Sequence, residues 1–127
     1  MSSKAVSFDD AILERCANDP DFRDYWERTA LARAVATAVI RYRSEQALSQ
    51  RALARRLGMP HSQVARLELG EHNPSIETLQ RLAKGLGRRF IVAVAPDQAT
   101  DLTLPRGVQI LADVVLADGS RVLAATG

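Results

Sequence analysis

Residues 48–70, LSQRALARRLGMPHSQVARLELG, place two short amphipathic runs on either side of Gly58-Met59-Pro60. Neither run reaches the roughly 12 to 15 residues at which an isolated helix becomes stable in water. Both must bury their apolar residues against other elements, so the surrounding chain has to supply a helical bundle. Ser49 is a natural N-cap for QRALARRL, which sets Leu53 and Leu57 at i, i+4, and Gly58 suits a left-handed turn. The second helix, about 61–69, turns Val64 and Leu67 inward and leaves His61, Ser62, Gln63 and Arg66 on the remaining face.

The flanks offer the partners. Leu31, Val35, Val39 and Tyr42 form a stripe one apolar face wide along a long preceding helix. After the turn GEHNPS, Ser75 caps IETLQRLAKGL, with Glu77 in the first turn and Ile76, Leu79, Leu82 and Leu86 on one face. Further upstream, SFDDAILERCANDP reads as a short helix. Ser7 caps it, Asp9 and Asp10 favour its positive end, Phe8, Ile12 and Cys16 share a side, and Asp19-Pro20 ends it. A further helix starts near Asp21, with Phe22, Tyr25 and Trp26 at helical spacing, and runs on towards the long helix. From Arg88 the period changes. RRFIVAVAP is a strand ending at Pro96-Asp97, DQATDLTLPRG is loop-like, and VQILADVVLADGSRVLAATG makes two strands joined near Asp118-Gly119. The predicted class is mainly α: a bundle of four to five helices with a small C-terminal β appendage.

A chain of 127 residues that is 46% hydrophobic and 25% charged is globular in composition, enough for one domain with appendages. The most apolar run, residues 30–40, is interrupted by Arg33 and too short to span a bilayer, and the N-terminal residues lack the apolar core of a signal peptide. A cytoplasmic protein with no membrane partner is the expectation. Cys16 is the only cysteine, which excludes an intrachain disulfide and a cysteine-based zinc cage, and it reads as a small apolar residue. The net charge of +2 hides an asymmetry. Residues 1–28 carry 4 basic and 7 acidic side chains, residues 29–89 carry 11 and 4, and residues 90–127 carry 2 and 4. Such blocks point to a polyanion partner for the middle of the chain and to a different partner for its ends, although arginine is also a good surface helix former. Three units are expected: an acidic helical arm over 1–28, a bundle over 29–89, and a β segment over 90–127 for dimerisation or partner contact.

A short helix, a turn at a glycine and a second helix with polar residues near its start form a helix-turn-helix, whose second helix enters the major groove of DNA. The stretch 48–87 closely resembles the Xre family of phage-repressor-type helix-turn-helix proteins. The matching segments are LSQRALARRLG, SQVARLELG and NPSIETLQRLAKGLG, with Gly58, Val64, Leu67, Glu68, Gly70, Pro74 and Leu79 at the family's spacing. The resemblance implies roles residue by residue. Gln50 sets an amide against a backbone phosphate or the end of the reading helix, His61, Ser62 and Arg66 face bases, and Gln63 lies beside them near phosphate. Arg66 can hold guanine through O6 and N7, which makes it the strongest candidate for reading sequence. Arg51, Arg55 and Arg56 lie outside the first motif helix, either near phosphate or simply solvated. One departure concerns Pro60, which stands where the family carries a Ser or Thr cap and fits the first helical position instead. Glu68, behind Arg66, reads as a structural partner for a backbone group or an arginine.

No catalytic constellation is visible. His61 and His72 lack a further ligand at metal spacing, and there is no glycine-rich phosphate loop or nucleophile motif, so neither a cofactor nor an enzymatic activity is expected. Two DNA-binding classes remain, an antitoxin that also neutralises a partner protein and a stand-alone regulator. The segments leading into and out of the motif, including LGRRFIVAVAP, look like the HigA-type antitoxins of the Xre family, and that resemblance implies an mRNA-cleaving toxin as partner. A single reading helix covers few base pairs, which predicts a homodimer on an inverted repeat with strand 90–95 as the seam. The partner-binding candidates are Phe8, Ile12, Phe22, Tyr25 and Trp26, aromatic and aliphatic anchors ringed by acids, and the competing reading has these rings completing the core.

Overall fold

The computed structural model describes residues 8–127, so the expected cap Ser7 and the side chain of Phe8 lie outside the described residues. Helices α1 (Phe8–Asn18) and α2 (Pro20–Arg28) precede a bundle of α3 (Ala30–Glu45), α4 (Gln50–Leu57), α5 (His61–Leu69) and α6 (Ile76–Leu86). Strands β1 (Phe90–Ala95), β2 (Gln109–Val115) and β3 (Arg121–Thr126) follow. The class is the expected one, a helical bundle with a small antiparallel sheet.

Local chemistry sets most of the boundaries. The side chains of Ser49 and Ser75 accept hydrogen bonds from the N–H groups of Ala52 and Thr78, three residues on, and so cap α4 and α6. Gly58 takes a left-handed φ of 65° after α4, and the Met59 N–H then donates to the Ala54 carbonyl, which closes the helix end. Asp19 caps α2 with Pro20 in its first turn, one residue earlier than the sequence suggested. Helices α2 and α3 do not run together. Thr29 separates them, its buried hydroxyl donating to the Tyr25 carbonyl and accepting from the Arg33 guanidinium.

The hydroxyl of Thr29 is thus spent, and it makes no cap bond to α3. The first turn of α3 is capped in trans instead. Asn73, in the loop after α5, accepts from the buried Ala32 N–H at 3.0 Å and donates to the Arg28 carbonyl at 2.7 Å. Asn73→Ala is therefore expected to cost about 1 to 3 kcal/mol, because a buried N–H loses its only acceptor, and thermal unfolding measures it. An unchanged midpoint would show that the tie carries no stability.

The core forms where the stripes of four helices meet. Val35 and Val39 of α3, Leu53 and Leu57 of α4, Val64 of α5, and Leu82 and Leu86 of α6 are buried together with Met59, and Leu67, Leu79 and Phe90 pack around them. Ile76 departs from expectation. It lies in the first turn of α6, beyond the edge of the core, and is 68% exposed.

The sheet runs β1-β3-β2, with both pairs antiparallel. The β2–β3 hairpin turns at Gly119, φ 87°, as its Asp-Gly step predicts. Because β3 lies between β1 and β2, loop 96–108 must cross it. Phe90 packs on the helical core, and its partner Thr126 lies across from it on the same face of the sheet, so Leu123 and Ala125, fully buried, point to the opposite face. The crossing loop, with Leu102 and Leu104 half-buried, is the segment available to cover them.

Candidate nucleic-acid interface

Helix α5 presents the candidate reading face, and its orientation follows from what its inner side buries. Val64 is fully buried and Leu67 half-buried against the core. At about 100° per residue, Ser62 and Arg66 then share the middle of the outward face, with His61 towards α4 and Gln63 towards α6. Ser62, Arg66 and His61 are exposed and Gln63 is half-buried. Pro60 is the N-cap residue with an extended backbone, not the first helical residue, so His61 opens the helix. The helix therefore starts one residue later than a proline at its first position would have it.

Two side chains hold the start of this face. Gln50, at the first position of α4, brings its amide oxygen to 3.2 Å from His61 Nε2, which places it against the end of α5. On the other side a groove of about 400 Å³ separates α5 from the start of α6, with Ser62, Gln63 and Arg66 along one wall and His72, Ser75 and Thr78 along the other. The outward face of α5 thus continues onto the N-terminal end of α6, where free N–H groups favour an anion.

Behind the face stands an ion pair. Glu68 is on the inner side of α5, with its side chain 7% exposed, and its carboxylate receives Arg43 Nε at 3.0 Å and Nη2 at 2.8 Å. Arg43 Nη1 also donates to the Leu48 carbonyl. One guanidinium therefore ties the end of α3, the approach to α4 and the reading helix, and hydrogen bonding to Glu68 holds its pKa above the ordinary arginine value. Arg43 was not singled out from sequence. The signal was an acid at an inward-facing position, which has to find a cation.

The arginines outside α4 divide. Arg56 donates to the Tyr42 hydroxyl at 2.7 Å, whereas Arg51 and Arg55 are exposed, with no ion pair among the described residues. These two cations are free for a backbone phosphate.

The partner-binding candidates sit apart from this face. Phe22 and Trp26 stack at 5.8 Å between ring centroids, Arg15 lies over Phe22 at 3.9 Å, and the Arg33 guanidinium lies over Trp26 at 3.4 Å. Burial holds the Arg33 guanidinium below its ordinary pKa. Both rings are half-buried in contacts that brace α1, α2 and α3, while Tyr25 is exposed and Ile12 lines an apolar groove beside β2.

Among the described residues no helix is long and apolar enough to cross a membrane. The helix-turn-helix family HTH_3 matches residues 39–91, from the middle of α3 into β1. Antitoxin HigA1 of Mycobacterium tuberculosis, in strains CDC 1551 / Oshkosh and H37Rv, is 36% identical over 79 residues, 62% of this chain. The chain spans about half of that relative, 53% of its length. An uncharacterized HTH-type transcriptional regulator of Methanothermobacter thermautotrophicus is 36% identical over 55 residues, 43% of this chain and 80% of the relative. No solved structure matches at a significant level. By these matches, and by the α4–turn–α5 geometry that carries them, the chain belongs to the Xre-type helix-turn-helix family.

Proposed function

We propose that this protein is a sequence-specific DNA-binding repressor, an antitoxin that neutralises an mRNA-cleaving toxin and represses its own operon. The observation that carries the DNA reading is the outward face of α5. Ser62 and Arg66 are exposed at its centre, and no ion pair among the described residues engages Arg66. Arg66 and Ser62 read base edges, His61 is positioned by Gln50, and Gln63 with the start of α6 meets phosphate. The antitoxin reading is supported by the two HigA1 relatives. A stand-alone regulator is the second reading, favoured by the Methanothermobacter relative.

In this reading residues 29–89 form the reading unit, residues 1–28 an arm for the toxin, and residues 90–127 the dimerisation segment. Strand β1 is an edge of the sheet, with Val94 72% exposed and no charged side chain in Phe90–Ala95. Pairing two β1 edges covers that apolar strand and sets two reading helices on an inverted repeat. The site of action is the cytoplasm, where the operator and the toxin's RNA substrate are found.

Selection of an operator from random duplexes tests the assignment. Arg66→Ala is expected to lose about 1 to 3 kcal/mol on that operator and to relax its choice at one base pair. Arg55→Ala weakens all sequences alike and lowers the salt dependence by about one phosphate contact. Equal binding by wild type and Arg66→Ala would remove Arg66 as a reader, and sedimentation of a monomer on the selected operator would remove the dimer.

A further inference from the structure

Away from the reading face, α1, α2 and β2 enclose a groove of about 390 Å³. Its walls are mostly apolar: Ile12, Leu13, Cys16 and Trp26 on the helical side, Val114 and Val115 on the strand side. Consecutive strand residues point to opposite faces of a sheet. A groove lined by both Val114 and Val115 therefore lies at the edge of β2, not over a face. That edge is open, because β2 pairs only with β3 in the order β1-β3-β2. Leu13 is 68% and Val115 43% exposed at its rim. The groove is also held in place. Glu27 of α2 accepts a hydrogen bond at 3.1 Å from the Ala117 N–H, in the turn after β2, and so fastens the helical arm to the sheet.

We infer that this groove is the docking site of the toxin. An extended toxin segment, apolar at alternate positions and basic at its flanks, adds to β2 as a fourth strand and seats its apolar side chains between Leu13 and Val115. The inference rests on the antitoxin reading above and gives that reading a surface. Main-chain hydrogen bonds along the open edge supply affinity, and the alternate pockets supply choice of sequence. Charge selects the occupant. The groove itself is lined by the Arg23–Glu27 ion pair, but the helical segment that forms its wall, residues 8–28, carries 7 acidic and 3 basic side chains, a balance of −4, and a ribonuclease that must hold a polyanion is basic. A second copy of this chain would bring the same −4 to the same edge and be repelled. The opposite edge, β1, follows Arg88-Arg89 and carries no acid, so the two open edges are suited to different partners. The surface also differs from an array of exposed aromatic anchors, since Trp26, stacked on Phe22, forms part of its wall while Leu13 and Val115 make the contact.

The probe is the protein encoded by the gene adjoining this one, co-expressed with the full chain. Leu13→Glu sets an acid in the groove, and Val115→Lys opposes a basic segment at the strand edge. Each is expected to weaken the purified complex at least tenfold and to abolish rescue of growth, while operator affinity stays within twofold of wild type. With the wild-type pair, hydrogen exchange of the outward-facing amides of β2 slows in the complex, a readout that needs no variant. If wild type captures and neutralises the toxin but both variants do so equally well, or the β2 amides exchange as in the free protein, the groove assignment falls and the antitoxin reading stands. If wild type neither binds the adjoining product nor rescues growth, the antitoxin reading falls and the groove assignment with it. Concentration-dependent protection of β2 in the free protein would overturn the assignment in favour of self-association.

Discussion

Leu53→Ala lowers the stability of the helical bundle by about 2 to 5 kcal/mol, the range for truncating a fully buried leucine. Leu53 is completely inaccessible at the centre of the cluster formed by Val35, Val39, Val64 and Leu82. It lies on α4, a helix of 8 residues with no means of holding itself together. Its methyls are a large part of what keeps α4 on α3 and α5. A loss of that size is a substantial share of the roughly 5 to 15 kcal/mol that a domain possesses, and it lowers the melting temperature by roughly 10 °C or more. Operator binding is expected to survive in the cold and fail near the lowered midpoint, because no reading residue has changed. Ile76→Ala supplies the contrast. Its side chain is 68% exposed, and a shift of less than about 0.5 kcal/mol is expected although both residues belong to apolar helical stripes. Equal effects at the two positions in chemical denaturation would show that the cluster around Leu53 is not the core.

That contrast marks how far the fold could be read from sequence. The boundaries of α4 and α6 and the end of α5 were legible because each depends on a few neighbouring residues: a serine cap whose oxygen meets an N–H three positions on, or a glycine able to adopt positive φ; the start of α5 was not, since Pro60 is its N-cap and not its first helical residue. The inward faces were legible from period, and the hairpin at Asp118-Gly119 from its turn chemistry. What depended on distant partners was not. Ile76 continues the stripe of α6, but a stripe does not say where the opposing helices end. Asn73 caps a helix 41 positions earlier, and Arg43 reaches Glu68 across 25, spacings at which no periodicity exists. The break at Thr29 is similar, since its hydroxyl serves the end of α2 and the half-buried Arg33 rather than the helix it precedes.

The candidate site divides the same way. Ser62, Gln63 and Arg66 could be placed on the outward face once Val64 and Leu67 were known to turn inward, and Gln50 reaches His61 because the turn at Gly58 brings one helix start to the other. The groove beside β2 could not be anticipated. It requires the strand order β1-β3-β2, which leaves β2 at an edge and brings Val114 and Val115 beside α1. Sequence singled out this segment through its acids and aromatics, yet the large apolar residues left exposed there are Leu13 and Tyr25, while Phe22 and Trp26 are half-buried beneath arginines.

Glu68→Ala carries the other large effect, about 1 to 3 kcal/mol, because it leaves the partly exposed Arg43 guanidinium without its counter-charge and its main acceptor. The consequence reaches function directly. The pair ties α5 to the end of α3 beside the packing of Val64 and Leu67, so its loss lets the reading helix shift, and operator affinity is expected to fall more than folding stability alone would require. Replacing both partners separates charge from position. Arg43→Met with Glu68→Leu removes the cation and the acid together and fills the space with apolar atoms, an exchange that is often neutral or stabilising when a buried pair is replaced as a unit. The double variant should therefore recover stability in denaturant titrations. Its operator affinity decides what the pair is for. Recovery of stability with weakened and less selective DNA binding means that the two charges orient α5, and full recovery of both means that any well-packed pair suffices. A single Glu68→Ala variant as stable as wild type would show that Arg43 finds water or another acceptor without cost, and that the reading helix is held by Val64 and Leu67 alone.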